Sequence, residues 1–191
     1  NMGALAIASS TGGPQALLHI FRELKGVDLR IPVFITQHMP PNFTTILADH
    51  ISKASGIDCH EALDDEEVKV GVIYLAPGDF HMTVERRGAG PARITLNQNP
   101  PENFCRPSAD PMFRSLAKVY NDKLLGVVLT GLGADGARGA SAVVEAGGGV
   151  VSQDEASSIV YGMPKAVAEA KLTSGVFALQ AMAPFLIKAV S

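Results

Sequence analysis

Three short segments carry the residue types of a serine hydrolase: a hydroxyl, an imidazole and a carboxylate. Ser10 stands in Ser-Ser-Thr-Gly-Gly, His38 in Gln-His-Met-Pro, and Asp135 in Gly-Leu-Gly-Ala-Asp-Gly. A serine hydroxyl is a weak nucleophile unless an imidazole takes its proton, and that imidazole needs a carboxylate to hold its tautomer. The chain therefore contains a candidate nucleophile, a candidate base and a candidate orienting acid.

Each candidate follows a predicted buried strand. Residues 4–8, 31–37 and 124–129 are short apolar runs, and each is followed by a turn and a segment of helical period. This alternation predicts strands and crossover helices over a mostly parallel sheet. Because ligands bind outside the carboxyl ends of the strands in such sheets, we expect Ser10, His38 and Asp135 to meet at that edge.

The pattern changes between residues 68 and 96. Short alternating stretches at 72–75, 81–86 and 92–96 are separated by Pro-Gly and Gly-Ala-Gly-Pro turns, which predicts an antiparallel hairpin region. The remaining predicted elements are a strand over 150–153 and helices over 14–24, 43–55, 111–120, 137–145, 164–170 and 183–190.

Composition limits the class of protein. A chain of 191 residues with 47% hydrophobic content fits one domain spanning residues 1–191. Its net charge of -3 argues against a nucleic-acid partner. No apolar run approaches the roughly 20 residues of a membrane span, and no signal-type start is present, so we expect a cytoplasmic protein without membrane insertion. Asn1 before Met2 suggests a residue added in cloning or a cut from a longer protein.

Neither a metal nor an organic cofactor is expected. Cys59 and Cys105 form no Cys-x-x-Cys pair, and we expect both to be structural or incidental thiols. The five histidines have no metal-ligand spacing, and the acidic run at 64–67 lacks the recurring oxygen ligands of a calcium loop.

Position alone leaves a structural alternative open for each candidate. Ser10 and Thr11 precede a helix and are good N-cap residues, and Asp135 is equally suited to cap the helix that follows it. His38 lies just past a strand, which is suggestive but common. In favour of catalysis, the helix starting at Gly13-Pro14 points backbone N–H groups and a positive dipole end at the turn, where an oxyanion would form beside Thr11.

Five motifs in order make the chain resemble the catalytic domain of the chemotaxis protein-glutamate methylesterase (CheB) family over nearly its whole length. They are Ala8-Ser9-Ser10-Thr11-Gly12-Gly13, Ile35-Thr36-Gln37-His38-Met39-Pro40, Tyr74-Leu75-Ala76-Pro77-Gly78-Asp79, Arg106-Pro107-Ser108-Ala109-Asp110 and Leu129-Thr130-Gly131-Leu132-Gly133-Ala134-Asp135-Gly136. The resemblance implies an α/β fold: a doubly wound, mostly parallel sheet flanked by helices, with an antiparallel hairpin.

The resemblance also implies roles for the residues. Ser10 would be the nucleophile, and the adjacent Ser9 would take no part in the reaction. His38 would be the base and Asp135 the orienting acid. The backbone at Thr11 and Leu132 would line the oxyanion pocket; the family usually has methionine where this chain has Leu132, which puts a sulfur-specific role in doubt. Arg106 is a candidate for binding the substrate or an acidic receptor surface, with a structural salt bridge as the alternative.

By the same resemblance, the substrate would be a γ-glutamyl methyl ester on the cytoplasmic helical domain of a methyl-accepting chemoreceptor. Some family members also deamidate receptor glutamines. Family members usually carry an N-terminal receiver domain, and none is present in these residues.

Two other functions stay open. Gly131-x-Gly133-x-x-Gly136 follows a predicted strand and precedes a helix, with Asp154 at about the acidic spacing of a dinucleotide-binding module. Against this, Asp135 would lie beside the pyrophosphate. The other alternative is a receptor-binding domain that has kept the fold but lost catalysis.

Overall fold

A seven-stranded sheet forms the centre of the protein. The computed structural model describes residues 1–191. The strand order is β3-β4-β2-β1-β7-β8-β9, every neighbouring pair is parallel, and β5 and β6 form a separate antiparallel hairpin. The strands are β1 (Ala4–Ser9), β2 (Val33–Gln37), β3 (Asp58–Glu61), β4 (Val72–Leu75), β5 (His81–Arg86), β6 (Ala92–Asn97), β7 (Leu124–Val128), β8 (Gly149–Gln153) and β9 (Gly175–Phe177).

Helices cover both faces of the sheet. They are α1 (Gly13–Glu23), α2 (Phe43–Ser55), α3 (Ala109–Tyr120), α4 (Ala137–Glu145), α5 (Met163–Glu169) and α6 (Leu179–Val190). Leu5 and Ile7 of β1 belong to the core under α1, α2 and α6. The alternate residues Ala4 and Ala6 belong to the core under α3, α4, α5 and the hairpin. Because side chains alternate between the two faces of a strand, β1 contributes residues to both cores. On the face towards α3 these residues are small alanines.

The chain winds outward in two directions from the centre of the sheet. From β1 it passes to β2 on one side, whereas from β7 it passes to β8 on the other. The carboxyl ends of β1 and β7 therefore border the crevice at the topological switch point, where ligands bind in folds of this kind. The turns that carry Ser10 and Asp135 follow these two strands.

The sequence-based fold is confirmed in outline and wrong in one region. Residues 81–86 and 92–97 form the expected hairpin, but Val72–Leu75 is a strand of the large sheet, between β2 and β3. The short strands β3 and β9, at the two edges of the sheet, were not predicted. None of the six α-helices combines the length and apolarity needed to span a bilayer.

Candidate active site

Ser10 and His38 lie at the ends of adjacent strands. The register of β1 and β2 pairs Ser9 with Gln37, so Ser10 and His38 are the next residues in line. The His38 backbone N–H donates to the Ser9 carbonyl at 3.1 Å, and the Ser10 N–H donates to the Thr130 carbonyl at 3.0 Å. Backbone hydrogen bonds thus hold the candidate nucleophile between the turns that carry the other two candidates.

The two neighbouring serines differ in their surroundings. Ser9 is fully buried, and its Oγ donates to Gln37 Oε1 at 2.5 Å. Ser10 is partly exposed, and no hydrogen bond engages its Oγ. The N-cap of α1 is Gly12, with φ of 82°, and no side chain caps this helix. The capping alternative for Ser10 and Thr11 is therefore wrong in this structure.

His38 and Asp135 form a buried hydrogen-bonded pair. His38 Nε2 lies 2.6 Å from Asp135 Oδ2, and the two side chains are 13% and 2% exposed. Burial alone lowers the pKa of His38, but hydrogen bonds with Asp135 and Cys105 and the Asp135 charge together raise this pKa to about 9. His38 Nε2 is thus committed to the carboxylate, which leaves Nδ1 as the nitrogen that can accept a proton.

Asp135 is held by the beginning of α3. Its Oδ1 accepts from Ser108 Oγ at 2.7 Å and from Asn103 Nδ2 at 2.8 Å, and its Oδ2 accepts from the Ala109 N–H at 2.7 Å. Burial opposes ionisation, but hydrogen bonds from His38, Ala109 and Ser108 and the His38 charge leave the pKa of Asp135 below its usual value. Asp135 does cap a helix, but that helix is α3. The capping alternative had predicted α4, the helix that follows Asp135 in the sequence.

Cys105 is a site residue that the sequence reasoning missed. Its Sγ lies 3.5 Å from His38 Nδ1, on the side of the ring opposite Asp135. We expected a structural or incidental thiol there. The only signal in the sequence was position, because Cys105 directly precedes the motif Arg106-Pro107-Ser108-Ala109-Asp110.

The predicted oxyanion pocket lies where two turns touch. A Cβ placed on Gly131 would come within 2.8 Å of Ser10 Cβ, so the turn after β7 packs directly against Ser10. The backbone N–H groups of Thr11 and Leu132 donate to no protein acceptor, and the Leu132 residue is 69% exposed. The two N–H groups are thus free of protein acceptors, as the predicted oxyanion role requires.

The Arg106 guanidinium is already engaged in hydrogen bonds within the protein. Nε and Nη2 donate to Asp79 Oδ1 at 3.0 and 2.7 Å, and Nη1 donates to the carbonyls of Gln98 and Asn99 at 3.0 and 3.3 Å. These contacts favour the structural alternative, in which Arg106 fastens the segment after the hairpin. Its role in substrate binding stays a prediction.

The glycine-rich turn does not offer a phosphate site. The Asp110 carboxylate already occupies the N-terminus of α4, where its Oδ1 accepts from the N–H groups of Gly136 at 3.1 Å and Gly139 at 2.7 Å. The Asp154 carboxylate accepts a hydrogen bond from Ser157 Oγ at 2.6 Å, within the turn after β8. A pyrophosphate would meet the carboxylate of Asp110 at the helix end that should bind it, so the dinucleotide-binding alternative is not favoured.

Comparisons with known proteins agree on one family. The family model described as CheB methylesterase matches residues 5–186. A protein-glutamate methylesterase/protein-glutamine glutaminase from Paramagnetospirillum magneticum is 53% identical over 184 residues, covering 96% of this chain and 48% of the relative. One of the same name from Rhodospirillum rubrum is 50% identical, covering 98% of this chain and 48% of the relative.

A solved structure matches at full length. The crystal structure of the Thermotoga maritima CheB methylesterase catalytic domain has a TM-score of 0.94 and 37% sequence identity, and the match covers 100% of both chains. The present chain spans about half the length of the curated relatives described above.

Proposed function

Since the chain belongs to the CheB methylesterase family, we propose that residues 1–191 are the catalytic domain of a protein-glutamate methylesterase. Its substrates are γ-glutamyl methyl esters on the cytoplasmic helical domain of chemoreceptors. Hydrolysis of receptor glutamine amides is the second activity, since the names of the relatives include protein-glutamine glutaminase. The protein works in the cytoplasm.

One observation carries the proposal: a buried histidine–carboxylate pair beside a free serine at the switch point of the sheet. The 2.6 Å contact between His38 Nε2 and Asp135 Oδ2 fixes the ring and leaves Nδ1 for Ser10. Ser10 is partly exposed and free of other hydrogen bonds, as a nucleophile must be. Tethering these groups to the ends of three strands supplies the proximity that acyl transfer needs.

Acylation begins with attack of Ser10 Oγ on the side-chain carbonyl carbon of the substrate. His38 Nδ1 takes the hydroxyl proton, and Asp135 stabilises the imidazolium that results. The carbonyl oxygen becomes an oxyanion, which accepts hydrogen bonds from the N–H groups of Thr11 and Leu132. Collapse of this intermediate breaks the bond to the methoxy oxygen, and methanol leaves with the proton that His38 returns.

Deacylation repeats the sequence with water. His38 Nδ1 takes a proton from water, the hydroxide attacks the acyl carbon, and Ser10 Oγ leaves with the proton from His38. The products are a glutamate side chain and free Ser10. A glutamine amide follows the same route with ammonia as the leaving group. No metal or organic cofactor takes part.

The reactive atoms need a small adjustment before attack. Cys105 Sγ contacts Nδ1 at 3.5 Å, and Ser10 Oγ does not bond to this nitrogen. Catalytic hydrogen bonds are often long or absent without substrate and form in the complex. In the proposed mechanism, Ser10 Oγ bonds to Nδ1 when substrate is bound.

Methanol release from methylated chemoreceptor membranes tests the proposal. Ser10→Ala should reduce release by at least about 1,000-fold, because loss of the nucleophile removes the covalent route. Ser9→Ala is the matched control: the same change one residue earlier removes a buried hydrogen bond to Gln37 but no reacting atom. Wild-type protein that releases no methanol would contradict the proposal and favour the catalytically idle receptor-binding alternative. A folded Ser10→Ala variant with full activity would instead show that Ser10 is not the nucleophile.

A further inference from the structure

Helices α3 and α4 cap each other through two buried aspartates. Asp135, just before α4, accepts from the N–H groups of Ala109 and Asp110 at the start of α3, at 2.7 and 3.3 Å. Asp110, in the first turn of α3, accepts from the N–H groups of Gly136 and Gly139 at the start of α4. Neither helix is capped by a side chain of its own N-cap residue.

This arrangement brings two carboxylates together in the interior. Asp110 and Asp135 are each only 1% exposed. Like charges at close range repel, and burial removes the water that would screen them. The backbone N–H groups and the positive ends of the two helix dipoles compensate the charges. Burial raises the pKa of Asp110, whereas the pKa of Asp135 is lowered by bonds that include His38.

Asn103 connects the two carboxylates directly. Its Nδ2 donates to Asp110 Oδ2 at 2.8 Å and to Asp135 Oδ1 at 2.8 Å. The residue has a φ of 55°, a left-handed conformation that asparagine tolerates better than most residues. The backbone is exposed there, and the amide group reaches inward between the acids.

The contacts of the two acids are different in kind. Asp135 contacts the imidazole of His38, whereas the Asp110 carboxylate accepts hydrogen bonds only from Asn103 and from the backbone of Gly136 and Gly139. Asp110 therefore acts on His38 only through Asp135 and the turn that carries it.

We propose that Asn103 and Asp110 are positioning residues that hold Asp135 at the place where it can bond His38 Nε2. The inference rests on the proposed esterase function for its kinetic consequence. The Asn103 bridge, the Ser108 hydroxyl and the N–H groups of α3 together hold the Asp135 carboxylate against His38. Loss of the bridge leaves the substrate pocket intact but loosens the histidine–carboxylate pair.

Two substitutions break the bridge in different ways. Asn103→Gly removes the amide and keeps the positive φ without strain. Asp110→Asn keeps an oxygen for Gly136 and Gly139 but turns an NH2 group towards the Asn103 amide, so two donors face each other. Asn121→Gly is the matched control: Asn121 also has a positive φ, 51°, but lies at the other end of α3, about 18 Å away by the rise of the helix.

Two measurements distinguish positioning from a general loss of structure. In both bridge variants kcat for methanol release should fall about 10- to 100-fold with KM within about threefold, because misplacement affects the reacting groups and not binding. In the protein without substrate, the downfield proton NMR signal of the His38 Nε2–H bond to Asp135 should broaden or move upfield. Asn121→Gly should change neither quantity.

The double variant provides the decisive comparison. If both residues act through one bridge, Asn103→Gly combined with Asp110→Asn should lose no more activity than the worse single variant. Multiplying effects, or an unchanged proton signal in folded Asn103→Gly protein, would overturn the inference. Wild-type protein without esterase activity would instead reject the proposed function, while the NMR signal would still report whether the bridge positions Asp135.

Discussion

By the proposed mechanism, the rate of ester hydrolysis should rise with pH through the neutral range, because His38 must be neutral to accept the proton of Ser10. The hydrogen bonds and charge around the buried ring raise the pKa of His38 to about 9. At pH 7 the pKa of His38 is then about two units above the pH, so only about 1% of the free enzyme has a neutral His38. The value of kcat/KM at pH 7 should be about a hundredth of its plateau.

The slope of the profile follows from the same titration. Between pH 6.5 and about 8, kcat/KM should increase about tenfold per pH unit. It should reach half of its plateau near pH 9 and level off above about pH 10. The assay is the initial rate of methanol release from methylated receptor membranes at substrate concentrations well below KM and at constant ionic strength. Folded Ser10→Ala protein provides the blank, which corrects for alkaline hydrolysis of the esters.

A second observable checks the assignment to His38. NMR of the imidazole carbon-bound protons should give an inflection near that of the rate, since the pH dependence of kcat/KM reports groups of the free enzyme. A flat profile, or an inflection at or below the ordinary histidine value of about 6.5, would refute the reasoning. In that case the contact with Asp135 does not hold the proton on the ring.

Two further predictions concern the same histidine. The free energy of unfolding should fall by roughly 3 kcal/mol as the pH rises from 6.5 through about 9. Folding raises the pKa of His38, so the protonated ring stabilises the folded state at pH values below about 6.5, and this contribution is lost as the ring loses its proton. Urea unfolding at several pH values measures the change, and a midpoint that does not vary with pH would contradict the prediction. Cys105→Ala should move the inflection of the kcat/KM profile to lower pH, since the hydrogen bond with Cys105 helps to raise the pKa of His38. Cys59→Ala, in β3 away from the site, is the control. An unchanged inflection in Cys105→Ala would argue against an effect of Cys105 on the pKa of His38.

The fold could be predicted from the sequence where apolar runs were long and bounded by turns. Strands β1, β2, β7 and β8 are almost wholly buried, and buried parallel strands read as continuous apolar runs. The short edge strands β3 and β9 are mostly half-exposed or exposed and have no such run. Val72–Leu75 was predicted as part of the hairpin because local alternation cannot tell which strand a short segment will pair with.

The positions of Ser10, His38 and Asp135 at one edge of the sheet could be predicted, but their surroundings could not. Ser10, His38 and Asp135 each follow a strand, and a parallel sheet brings such turns to one edge. Asn103, Ser108 and Asp110 come from a segment that follows the hairpin and not a strand of the large sheet. Their contacts with Asp135 in the turn after β7 span between 25 and 32 residues of sequence. Such contacts depend on how α3 packs beside α4, which no local pattern specifies.

The choice of ring nitrogen follows from the order of the strands. His38 follows β2, Ser10 follows the adjacent strand β1, and Asp135 follows β7, one strand further away. With strands about 4.8 Å apart, the serine is one spacing and the carboxylate about two spacings from the histidine backbone. Nε2 is the ring nitrogen farther from the backbone, so it reaches the carboxylate, and Nδ1 is left to contact Cys105. Serine proteases of the chymotrypsin type use the opposite assignment, with the acid on Nδ1 and the serine on Nε2. If Ser10, His38 and Asp135 act as the proposed triad, a triad with the same residue types can use either nitrogen, depending on which strands carry its members.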